Sequence, residues 1–242
     1  MRRRIPALLL SLALCAGVPE AAAADRVLVF TRTEGWRHDS IPAAVDTLRR
    51  LGDELGLRVD HSEDPGAFAP ANLARYRVVV FASTTGDVLD DAQQAAMEGF
   101  VRGGGGFVGI HSAADTEYGW PWYGGLVGAY FRRHPPGLQT ARVRFETPGV
   151  LTDGEAWRVT DELYDFRRNP RGQVRVIATL DTRDHTRGGM GPDHPIAWCH
   201  AYGGGHAWYT GLGHDEAVYA DPVFRRHLAR GLRYAAGAAE GC

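Results

Sequence analysis

Short apolar runs alternate with stretches of helical periodicity through the first half of the chain. Residues 26–31 (R-V-L-V-F-T) are apolar at nearly every position, the pattern of a strand buried on both faces. After a polar loop at 32–40, apolar residues at Ile41, Ala44, Val45, Leu48, Leu51 and Leu55 recur at helical spacing, and Gly56 ends the pattern. Residues 57–61 and 77–82 predict a second and a third strand. Residues 90–101 predict a helix with Ala95, Met97, Phe100 and Val101 turned inward, and 107–110 predict a fourth strand. Strand and helix alternating over short links imply parallel pairing through right-handed crossovers. The expected fold is therefore α/β, three layers around a doubly wound, mostly parallel sheet of flavodoxin-like character.

Beyond Asp115 the rhythm changes. An aromatic cluster (Tyr118, Trp120, Trp122, Tyr123) precedes Gly124 and Gly125. Strands are predicted at 140–146, 173–180, 196–202 and 206–211, the last two a hairpin through the glycines at 203–205, and a helix at 222–235 closes the chain. No internal repeat or long linker divides 25–242, so one domain is expected there.

Residues 1–24 carry Arg2, Arg3 and Arg4, an apolar stretch and a small-residue end, the pattern of a secretory signal peptide cleaved before Asp25. The remainder is expected to be secreted or periplasmic, with no membrane attachment after cleavage. Leaving out the three leader arginines and Glu20, 24 of the 27 basic and 28 of the 29 acidic residues remain, a net charge of −4. No basic stripe is available to neutralise phosphates, which argues against a nucleic-acid partner. Every basic residue is arginine, so Schiff-base lysine chemistry and pyridoxal phosphate are excluded, and nothing marks a nucleotide site. Cys199 and Cys242 are the cysteines outside the leader, and their spacing alone does not say whether they pair.

Polar loops fall where the predicted parallel strands end, and such ends converge on one rim. The first loop carries His38, the third Thr84 and Thr85, the fourth His111 and Asp115, and the last hairpin strand runs into His214. His111 follows a glycine-rich stretch and a short strand, at a sharp exit where a nucleophile would otherwise stand. An imidazole there suits metal binding or proton transfer better than acyl transfer. The expected catalytic set is His38, His111, His214 and Glu162. His38, His111, His134 and His214 are the expected ligands of a divalent cation, zinc first, although no compact His-x-x-x-His or Cys-x-x-Cys spacing is present. Trp36 and the aromatics from Tyr118 to Tyr123 lie beside the rim. Flat rings among polar groups suit a sugar, and Thr84, Thr85, Asp115, Tyr118, Trp120 and Trp122 are the expected sugar contacts. His61, His185 and His227 are expected at the surface, and His194, His200 and His206 include ordinary strand histidines.

The strings V-F-T-R-T-E-G-W-R-H-D-S, T-T-G-D-V-L, G-G-G-F-V-G-I-H-S-A-A-D-T-E-Y-G-W-P-W-Y-G-G-L-V-G-A-Y-F, D-E-L-Y-D-F-R-R-N-P, H-P-I-A-W-C-H and Y-T-G-L-G-H-D together resemble the trehalose-utilisation, or ThuA-like, family over nearly all of 26–236. The resemblance implies a class I glutamine-amidotransferase-like fold and a place in disaccharide or keto-glycoside catabolism. In that superfamily the elbow holds a cysteine activated by a histidine with a nearby acid. Here those positions fall on His111 and on His214 with Glu216, and the missing thiol speaks against glutamine hydrolysis. The leading expectation is a metal-assisted acid/base enzyme acting on a small sugar or glycoside. A carbohydrate-binding module without turnover and an amidase using Cys199 are the alternatives.

Overall fold

The computed structural model describes residues 25–146, 157–181, 183–184, 188–239 and 241–242; residues 1–24, where a signal peptide is expected, and His185 lie outside them. Eleven strands and five helices are seen among these residues: β1 (Arg26–Phe30), α1 (Ile41–Leu55), β2 (Arg58–Ser62), α2 (Pro70–Leu73), β3 (Val78–Ala82), α3 (Asp91–Arg102), β4 (Gly106–Ile110), α4 (Pro121–Val127), β5 (Phe131–Arg133), β6 (Gln139–Phe145), β7 (Trp157–Asp161), β8 (Asp165–Phe166), β9 (Arg175–Leu180), β10 (Pro195–Tyr202), β11 (Gly205–Thr210) and α5 (Pro222–Ala235). The main sheet has the order β2-β1-β3-β4-β11-β10-β9-β6-β7. Its first five strands pair in parallel and the remaining four antiparallel. The three-layer α/β expectation holds, with α1 and α5 covering one face and α2, α3 and α4 the other.

The parallel strands are apolar end to end because both faces are covered. Val78 to Ala82 and Phe107, Val108 and Ile110 are all fully buried, each contributing about 1.5–3 kcal/mol of transfer free energy for the larger side chains. Gly103 and Gly104 form the turn ahead of β4, Gly104 at a φ of +94°, and the glycines beside it serve close packing. A Cβ on Gly106 would lie 2.1 Å from the Ala235 carbonyl oxygen of α5, and one on Gly205 would lie 2.1 Å from that of Gly105.

Several sequence expectations need correction. Asp90 caps α3 in a capping box with Gln93, and the helix turns Met97, Phe100 and Val101 inward as expected, with Ala96 rather than the exposed Ala95 completing the buried face. The glycine pair at 124–125 sits inside α4, and three strands were not predicted: β5 and β8, which are too short to alternate, and β7, whose W-R-V-T-D alternation is matched by alternating burial. His227 is not at the surface: it is fully buried on α5 between Trp208 and Phe145. Cys199 on β10 and Cys242 form a disulfide, with Cα atoms 6.4 Å apart, that ties the chain end to the sheet.

Two stability predictions follow from this packing. The disulfide closes a loop of 43 residues, so replacing both cysteines by serine is expected to cost about 2–4 kcal/mol, read as a lowered midpoint in denaturant unfolding. Burial pushes the His227 imidazole down to about 3, and neither ring nitrogen has a hydrogen-bond partner among the described residues. The unfolded chain takes up this proton near the ordinary value of about 6.5, whereas the folded chain does not, so stability is intact above that pH and is lost progressively below it. His227→Phe is expected to lessen the fall in Tm between about pH 7 and pH 5; an unchanged pH profile would refute the assignment.

Candidate functional site

The carboxyl ends of β1, β3, β4 and β11 lie side by side, and the strand order reverses at β1, the position where open α/β sheets bind ligands. His111 is the first residue past β4. Its φ of +53° places a non-glycine residue in the left-handed region, which turns the side chain sharply over the sheet edge. The Tyr209 hydroxyl donates to the His111 carbonyl at 2.8 Å, and the His111 Nδ1–H donates to the Gly211 carbonyl at 3.0 Å. With Nδ1 thus committed, the lone pair of Nε2 faces into the site.

Three further groups meet that nitrogen. His38 Nε2 lies 3.2 Å away and Glu162 Oε2 3.5 Å away, while His214 Nδ1 sits 3.3 Å from the same Glu162 oxygen but out of line for a hydrogen bond. Ligand atoms of His38, His111, Glu162 and His214 all fall within 4.8 Å of one another. Two imidazole nitrogens facing each other at 3.2 Å are satisfied by one hydrogen shared between them or by one cation that both ligate. Burial first, then the neighbouring imidazoles, pushes His38 down to about 3, so it stands neutral at ordinary pH. Burial alone would raise the Glu162 carboxyl, but His111 and His214 outweigh it and hold that group well below the usual carboxylate range. In turn the Glu162 carboxylate holds His214 above its ordinary value. Three imidazoles converging on one carboxylate, with one orphaned ring nitrogen, fit a divalent cation of the zinc type.

Sequence reasoning missed the residue that assembles this cluster. Asp161, fully buried at the end of β7, accepts from the backbone N–H of Gly213 (2.7 Å), Asp215 (2.9 Å) and Glu162 (3.0 Å). It therefore pins the His214 loop to the Glu162 segment. Ser40 adds a second tie by donating to the Gly213 carbonyl at 2.9 Å, which draws the His38 loop to the same point. The only signal in the sequence was an acid next to Glu162.

His38, Glu162 and His214 floor a pocket of about 310 Å³, and His111 is buried against them. Trp36, Phe131 and Tyr164 form its apolar wall, and Asp115 and His134 its polar one. The ribbon of β5 and β8 supplies Phe131 and positions His134 and Tyr164 next to its ends. His134 stands outside the converging ligand set, contrary to expectation. Its Nδ1 donates to the Pro135 carbonyl at 2.9 Å and lies 3.0 Å from Glu162 Oε1, which leaves Nε2 as the ring nitrogen not engaged by these contacts.

Other expected sugar contacts are also reassigned. Thr84 is buried against the Thr116 hydroxyl at 2.9 Å, and Thr85 is buried with its hydroxyl donating to the Trp36 carbonyl at 2.9 Å. Trp120 stacks on Trp122 and donates to Glu98, while Trp122 packs on Tyr202, so neither lines the pocket. Tyr118 stands behind the wall, its hydroxyl 2.5 Å from Asp115 Oδ1. Glu216 is exposed, and the acid that faces His214 is Glu162. Cys199 has its sulfur bonded to Cys242, which leaves no thiol for the amidase alternative.

A family model described as ThuA, trehalose utilisation, matches residues 26–235. A ThuA-like protein from Bacteroides uniformis shares the fold at a TM-score of 0.73 with 20% identity, covering 90% of this chain and 94% of that one. A ThuA-like protein from Parabacteroides merdae gives 0.70 with 22% identity over 88% and 90%. A β-galactosidase from Bacillus circulans sp. alkalophilus matches at 0.54 and 14% identity over 89% of this chain and 31% of its own. No curated protein matches. On the extent of that family match, the chain belongs to the ThuA trehalose-utilisation family.

Proposed function

We propose that the pocket is the active site of a metal-assisted acid/base enzyme that cleaves a glycoside or keto-glycoside outside the cytoplasm. The observation that carries this reading is the convergence of three imidazoles and one carboxylate on the floor of a pocket walled by aromatic rings. His38, His111, Glu162 and His214 would hold the cation, which when bound polarises a carbonyl or hydroxyl oxygen. The disulfide supports an oxidising compartment, in keeping with the leader at 1–24.

Two groups on the wall stand outside that ligand set and are suited to move protons. His134 presents Nε2 to the pocket as a base, and Asp115, raised by burial against the opposing hydrogen bond that the Tyr118 hydroxyl donates to it, is suited to carry the proton for the leaving oxygen. A ketone on a sugar ring acidifies the adjacent C–H. Removal of that proton by the base expels the glycosidic oxygen one carbon further on, the acid protonates the departing oxygen, and water then adds across the double bond left behind. Phe131 and Tyr164 cover the ring's C–H face while the polar wall takes its hydroxyls.

Elemental analysis of the untagged protein is expected to find about one divalent ion per chain, zinc first, with His111→Ala losing both the ion and turnover of oxidised disaccharides. A protein that holds no ion and whose turnover resists chelation would refute metal assistance. Asp161→Asn is expected to weaken metal affinity about 10–100-fold without unfolding the chain, measured by competition with a chromophoric chelator. Asp115→Asn and His134→Gln should lower kcat by about 10²–10⁴-fold while the metal content stays at the parent level.

A further inference from the structure

The indole of Trp36 is 73% exposed, although it belongs to the pocket wall and its aromatic companion Tyr164 is buried. Packing does not account for it, and the backbone beneath it is firmly held. The N–H of Glu34 donates to the Thr85 carbonyl at 2.8 Å and that of Gly35 to the Thr85 hydroxyl at 3.2 Å, while the same hydroxyl donates to the Trp36 carbonyl. Ion pairs of Arg32 with Glu34 and of Arg37 with Glu63 brace the loop on either side of the indole. A large ring on a fixed loop, facing outward beside a pocket, loses little freedom when something stacks on it.

Pocket size says what that something is. The cavity of about 310 Å³ is at the lower end of the about 300–1,000 Å³ range of small-molecule sites, and Trp36 is the exposed member of its lining, so a ring seated on the imidazole and carboxylate floor leaves the indole as apolar surface for a second ring. Resting on the sugar reading of the pocket given above, we infer that Trp36 is the platform for a second ring and makes the protein select disaccharides over single-ring sugars. The C–H face of a pyranose covers the indole through dispersion and apolar burial, with no charge required. Thr85, expected from sequence to touch sugar, acts instead as the positioning residue that presents this platform.

The test is calorimetric titration of the zinc-loaded protein with trehalose and 3-keto-trehalose, against methyl α-glucoside and its 3-keto form. Trp36→Ala is expected to weaken binding of the two-ring ligands about tenfold or more and to leave the single-ring ligands within about twofold, with Trp36→Phe recovering most of the loss. Equal loss for both ligand sizes, or no loss for either, overturns the role of Trp36 while the pocket remains a sugar site. Absence of any sugar binding by the parent protein overturns the sugar reading itself, and the inference with it.

Discussion

The carboxylate of Asp161 is the constraint on which the site depends. β7 is the far edge strand of a nine-stranded sheet, whereas His214 follows β11 near its middle. Three backbone N–H groups, two from the His214 loop and one from Glu162, converge on this one buried side chain. A buried carboxylate is costly unless it accepts such bonds, and the bonds exist only while both segments are in place. Folding of the antiparallel half of the sheet is therefore coupled to assembly of a site whose other members come from the parallel half.

Electrostatics then sorts the roles within the site. Glu162 is the ionised member because two imidazoles offset the cost of its burial, and His38 is the neutral member because burial and its charged neighbours both oppose a proton. His111 is oriented from behind by Gly211 and Tyr209, so its reactive nitrogen is chosen by the fold rather than by the ligand. The β5–β8 ribbon completes the enclosure by bringing His134 and two aromatic rings over the floor. At the open side of that enclosure stands the exposed indole of Trp36.

Much of the architecture was legible in advance. Apolar runs at β1, β3 and β4 and the helical stripes of α1 and α5 reflect strands buried on both faces and helices buried on one, which leave a period that sequence displays directly. That His38, His111 and His214 share a rim followed from parallel strands ending on one side. The ribbon was not legible, because strands of two or three residues carry too few positions to show alternation, whereas the W-R-V-T-D alternation of β7 was present in the sequence and not read as a strand. The aromatic wall was misjudged for a related reason: Trp120 and Trp122 lie near the rim in sequence, but α4 turns them toward Glu98 and Tyr202.

By itself, then, the sequence determined the layered α/β fold, the family, the absence of lysine chemistry and the histidines at the sheet edge, since each is written in composition or in a local period. Tertiary structure decided which carboxylate faces those histidines, that Asp161 pins the loops, that Thr84 and Thr85 are spent on internal hydrogen bonds, and that His227 lies in the core. Those outcomes depend on pairing between segments up to 173 residues apart, as between Ser40 and Gly213, and on which side chains lose water when the pairs form. No period along the chain encodes such encounters.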